Sequence, residues 1–103
     1  MTDPGDDLAR LEATVKGRVH GVGFRYFVAT RANHLGLTGF VANDQGGSVH
    51  CVAEGSRADL EDLLEMLNEG PASAIVERVI VEWLPFTGHW GSFGIESSGH
   101  RGD

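Results

Sequence analysis

The chain has 103 residues, 41% of them apolar, a formal charge of -7 and a single cysteine. That length holds one two-layer core and excludes a second, so the expectation is one domain over 1–103 with 1–8 and 97–103 as loose tails. No run approaches the ~18 apolar residues of a membrane span, the acidic balance opposes long-range capture of nucleic acid or anionic membranes, and the lone Cys51 excludes an internal disulfide.

The start, MTDPGDDLAR, lacks the basic and apolar regions of a secretory signal, so the expected location is the cytoplasm. Leu11, Ala13 and Val15 alternate with Glu12, Thr14 and Lys16, which predicts a first strand over 9–19 with one buried face. From Phe24 the apolar residues Phe27, Val28, Ala32 and Leu35 recur at helical spacing, and Gly36 follows as a stop. LTGFVAN and SVHCVAEG are two short β-type runs around DQGG, whose residues suit a hairpin turn. Ser56 stands as N-cap of a second helix with Asp59 at its third position and a stripe of Leu60, Leu63, Leu64 and Leu67, which NEGP ends. AIVERVIVEWL is a β-branched fourth strand with Val79, Val81 and Trp83 on one face. After PFTGHWG, a short SFGIES offers an edge strand.

The order is therefore β-α-β-β-α-β with an optional fifth strand. Both helices have one apolar stripe to bury, and they do so side by side on one face of an antiparallel sheet. That is a ferredoxin-like α+β sandwich, an architecture that serves many functions and selects none.

The chemistry concentrates in KGRVHGVGFRYF, residues 16–27. A helix that starts near Phe24 leaves four backbone N–H groups unpaired, and HGVG offers no Ser, Thr, Asp or Asn to cap them. Gly21 and Gly23 can turn successive N–H groups inward into a concave anion nest at the positive end of the helix dipole. Arg25 stands where that dipole disfavours a cation by up to about 1 kcal/mol, which makes sense if an anion sits between it and the loop. The alternative is a tight strand-to-helix turn with Arg25 paired to a carboxylate. Nucleotide-binding loops do not fit: no Lys-Ser/Thr follows the last glycine, and Tyr26 stands where a dinucleotide loop needs its third glycine. The nest is sized for one phosphate group.

Asn43, at the end of strand two, is either a turn-former beside DQGG or a neutral amide able to orient a water or a substrate oxygen. The histidines at 20, 34, 50, 89 and 100 show no metal-ligand spacing, and only His20 lies in the glycine loop. Asp59, Glu61, Asp62 and Glu65 read as a solvated helix face, Trp83, Phe86, Trp90 and Phe93 as core or loop anchors, Cys51 as a small buried hydrophobe, and the terminal RGD as a chance match.

In this combination and order, GRVHGVGFR, then Asn43 eighteen residues after Arg25, then GSV and GPASAIV before the last long strand, the sequence resembles the acylphosphatase family from about Leu11 to Ile95. The resemblance implies a ferredoxin-like fold and hydrolysis of acyl phosphates with no metal and no other cofactor. It also implies Arg25 as the phosphate-binding arginine and Asn43 as the water-orienting residue. With it, the backbone of His20, Gly21, Val22, Gly23 and Phe24 becomes the expected phosphate site beside Arg25. His20 departs from the glutamine most usual there, and Gly46 stands where the family often has Asp. The implied partner is a small acyl phosphate, with no nucleic acid or membrane, and the chain is expected to act as a monomer. Two other classes compete: a phosphate- or carbamoyl-phosphate-binding module of larger carbamoyl-transfer proteins, and a non-enzymatic regulatory or RNA-binding domain. The acidic balance and the joint presence of Arg25 and Asn43 count against the last.

Overall fold

The computed structural model describes residues 7–96; the far N-terminal arm, His100 and the RGD tripeptide lie outside them. The elements are β1 (Leu8–Arg18), α1 (Phe24–His34), β2 (Thr38–Asn43), β3 (Val49–Ser56), α2 (Arg57–Glu69), β4 (Ile75–Leu84) and β5 (Phe93–Glu96). β1 opens at Leu8, inside the arm expected to be loose, because Leu8 pairs with Ser56 and the Asp7 carbonyl accepts the N–H of Arg57.

The sheet runs β4-β1-β3-β2-β5. β1 is antiparallel to β3 and to β4, and β2 is antiparallel to β3. β1 and β2 are therefore parallel to each other with β3 between them, each β-α-β half skipping one strand. The fifth strand exists, but it joins β2 in parallel and makes the sheet mixed.

The alternation read from β1 sets the core. Leu11, Ala13 and Val15 face the helices, joined by Val41 of β2, by Val49, Cys51 and Ala53 of β3, and by Leu60, Leu63 and Leu67 of α2. Val79, Val81 and Trp83 of β4 complete that face, as their spacing predicted. Burial pushes the Cys51 thiol up to about 12, so it stays a neutral, inert packing group.

Local chemistry ends the helices where the sequence placed the signals. Gly36 takes φ 74°, its N–H donates to the Asn33 carbonyl, and the Leu37 N–H reaches back to Ala32 at 2.9 Å, the paired bonds of a Schellman end. The Ser56 hydroxyl accepts the Asp59 N–H at 3.2 Å and so caps α2.

One buried charge governs how the chain reaches β5. β4 and β5 occupy opposite edges, so residues 85–92 must cross the outer face of the sheet. Glu54 of β3 points to that face, 1% exposed. It accepts the Thr87 N–H at 3.0 Å, the Thr87 hydroxyl at 2.7 Å and the Gly88 N–H at 2.8 Å. Arg10 stands 3.9 Å from the same carboxylate and lies over the Trp90 ring, which packs on Phe40. Burial alone would raise the Glu54 pKa. The hydrogen bonds from Thr87 and Gly88, with the charge of Arg10, outweigh it and hold the carboxyl below its ordinary value of 4.5.

Candidate active site

The topology brings three strand ends together. Because β1, β2 and β5 run in the same direction, their C-terminal ends lie at one end of the sheet, the position where parallel arrangements hold ligands. The end of β1 delivers the glycine loop, the end of β2 delivers Asn43, and the end of β5 delivers Ile95 and Glu96.

The loop alternates between anchors and open backbone. Val22 and Phe24 pack into or against the core, while Gly21 and Gly23 take φ of 72° and 78°. An added Cβ at either glycine would meet nothing within 4 Å. The glycines are there for their backbone conformation rather than for space. Gly23 is the N-cap of α1 and supplies no side-chain cap, and the first helical bond runs from the Phe27 N–H to the Gly23 carbonyl at 3.0 Å. Among the described residues the N–H groups from His20 to Tyr26 make no close backbone hydrogen bond, and His20–Gly23 form a turn.

Val19, Gly21, Gly23, Phe24, Arg25, Tyr26, Asn43 and Ile95 line one cavity of about 220 Å³ beside the loop, whereas His20 and Val22 do not line it. Arg25 and Asn43 thus share a single concavity although they come from different elements. Among the described residues Arg25 forms no salt bridge; its guanidinium donates one long hydrogen bond, 3.5 Å, to the Glu96 carbonyl. The carboxylate pairing that the tight-turn alternative required is not found there. Asn43 lies on the core face of β2, two residues beyond Val41. Its side chain makes no hydrogen bond within the described residues, and the hairpin is closed instead by Asp44 and Gly47.

The His20 side chain turns away from the cavity. Its Nε2 lies 2.7 Å from the Ser48 carbonyl, which requires a proton on that nitrogen, so the ring ties the loop to the hairpin that carries Asn43. Gly46 also stands apart, in a small recess with Lys16, Ser48 and Glu77. Ile95 and the Glu96 carbonyl are site groups that sequence reasoning missed, and the apolar alternation of SFGIES is the one signal that could have suggested them. No three His, Cys, Asp or Glu side chains gather into a metal-sized cluster among the described residues.

Two helices on one face of a five-stranded mixed sheet, with an uncapped helix start, an arginine and an asparagine converging on one small cavity at the strand ends, define a ferredoxin-like domain. The chain belongs to the acylphosphatase family, whose model matches residues 11–95, and it is an enzyme of the class of hydrolases acting on acid anhydrides. It is 52% identical over 85 residues to an acylphosphatase of Mycolicibacterium smegmatis, covering 81% of this chain and 87% of the relative. Its structure superposes on an acylphosphatase from Coxiella burnetii with a TM-score of 0.84 at 36% identity, over 93% of this chain and all of that one. Full-length HypF, solved in a phosphate- and nucleotide-bound form, contains a similar unit: TM-score 0.80 and 27% identity, over 88% of this chain and 12% of HypF.

Proposed function

We propose that the chain cleaves the carboxyl–phosphate bond of acyl phosphates, releasing a carboxylate and inorganic phosphate, with its own backbone and two side chains as the whole catalytic apparatus. The observation that carries this reading is the single cavity shared by Gly21, Gly23, Arg25 and Asn43. An acyl phosphate is a mixed anhydride whose leaving group has a conjugate-acid pKa of ~4, by analogy with side-chain carboxyls, so no general acid is needed to expel it. What the reaction needs is a grip on the phosphoryl oxygens, a water in line with the departing carboxylate, and stabilisation of charge on the group in transfer.

The N–H groups of His20, Gly21, Val22, Gly23 and Phe24, with the Arg25 guanidinium, provide the grip and the charge stabilisation. The Asn43 amide orients the water, whose proton passes to a phosphoryl oxygen of the substrate. No step is assigned to a metal ion. All these groups come from one chain, which supports action as a monomer, and a lone, buried, reduced cysteine fits a cytoplasmic setting. The HypF likeness favours, as a second reading, a module that binds phosphate or carbamoyl phosphate without turnover.

The test is hydrolysis of a simple aryl acyl phosphate in the presence of a chelator. Wild type should turn over, and Arg25→Ala should lower kcat by about 10² to 10³. Asn43→Ala should lower kcat by more than it raises KM, because a water-orienting group acts in the transition state. Phosphate binding without turnover would leave the second reading, and abolition by the chelator would refute the metal-free mechanism.

A further inference from the structure

A second concavity adjoins the cradle. It has a volume of about 630 Å³, is mainly apolar, and runs along the exposed flank of α1 between that helix and the end of α2. Its walls include Tyr26, Phe27, Thr30, Met66 and Pro71, with Arg31 and His34 also lining it, and among the described residues it shares Gly23 and Tyr26 with the cradle. Asn43 lines the cradle and not this groove.

We propose that this groove holds the acyl group of the substrate and makes the enzyme prefer extended apolar acyl phosphates over acetyl phosphate. The inference rests on the reading of the cradle given above and adds the substrate class. In phosphoryl transfer the attacking and leaving oxygens lie roughly in line through phosphorus. With the water held by Asn43, the carboxylate departs away from that residue, and this groove opens from the cradle at Gly23 and Tyr26 without Asn43 in its wall. The composition of α1 agrees. Its core face is filled by Phe24, Val28, Ala29 and Ala32, yet Tyr26, 72% exposed, carries a large apolar surface that the core does not use. Each helical turn advances about 5.4 Å, so an extended hexanoyl chain leaving the cradle at Gly23 spans little more than one turn, past Tyr26 and Phe27 and toward the Thr30 side chain.

The experiment compares kcat/KM for acetyl phosphate and hexanoyl phosphate, two alkyl substrates of closely similar leaving-group acidity. Any difference between them therefore reports binding of the chain. Wild type should favour hexanoyl phosphate by at least about tenfold, the low end for an apolar contact in a pocket. Tyr26→Ala removes the wall next to the cradle, and Thr30→Glu places a charge mid-groove at an exposed helical position. Both should bring the hexanoyl-to-acetyl ratio close to one, and a ratio also cancels any general loss from altered charge or folding. A wild-type ratio near one, or a high ratio that neither substitution moves, overturns the groove assignment while acetyl phosphate turnover leaves the cradle intact. Absence of turnover with both substrates overturns the cradle reading and this proposal with it.

Discussion

Replacing Glu54 with Gln changes one oxygen to an NH₂ in a side chain that is buried and accepts three hydrogen bonds. The amide oxygen can still serve the two Thr87 donors, but the new NH₂ then faces the Gly88 N–H, donor against donor. An unsatisfied buried donor costs about 1–3 kcal/mol, and the two remaining bonds fall from charge-assisted to neutral strength. The sum is about 3 kcal/mol, which for a domain of this size lowers Tm by about 12–24 °C. Urea unfolding followed by tryptophan fluorescence checks it, since Trp90 packs on the same face as Phe40. The pH dependence supplies an independent arm. The folded carboxyl titrates below its ordinary value of 4.5, so its contribution is complete above that value and is lost as pH falls from there through the folded pKa. Glu54→Gln should remove that part of the acid loss. An unchanged midpoint at neutral pH, with the acid limb also unchanged, would refute the idea that this carboxylate holds the crossover.

Gly23→Ala should cost about 1–2 kcal/mol, the price of placing a side chain in the left-handed region, and should raise KM for acyl phosphates because relaxation of that φ closes the cradle; thermal melts and steady-state kinetics read both. Cys51 should resist a thiol reagent at pH 8 in the folded protein and react at once in denaturant; its raised pKa gives stability that is complete below the ordinary value of 9.0 and declines as pH rises from there toward about 12. Ser56→Ala should destabilise by about 1 kcal/mol through the lost cap on the Asp59 N–H, measured by urea titration.

What could be read in advance follows from the range of the interactions involved. Alternation along β1 and β4, the leucine stripe of α2, the Ser56 cap and the Gly36 stop depend on neighbours within a few residues, and the structure holds each of them. The uncapped start of α1 was legible because a missing cap and an Arg25 at odds with the helix dipole are both local. Its partner Asn43 could not be separated from a turn-former by local rules, since only the parallel relation of β1 and β2 sets the amide before the loop. Glu54 was invisible for the same reason: in SVHCVAEG it reads as an ordinary polar position, while the groups that need its charge lie 33 and 34 residues further on. The direction of β5 likewise depends on a crossing that no short-range pattern specifies. In α1 the expected stripe was shifted slightly. Ala29 is buried and Phe27 only partly so, because the flank bearing Phe27 opens onto the groove.

The parallel fifth strand also bears on what the edge of the sheet offers to another chain. Without it, β2 would present a free row of N–H and C=O groups, a template for pairing with another chain. Phe93–Glu96 pairs with Gly39–Ala42 and takes up those groups. At the opposite margin β4 displays Glu77, Arg78 and Glu82, charges that discourage pairing from that side. The segment that brings Ile95 to the cradle thus doubles as a guard against sheet-to-sheet association, so losing it would endanger solubility as well as the site.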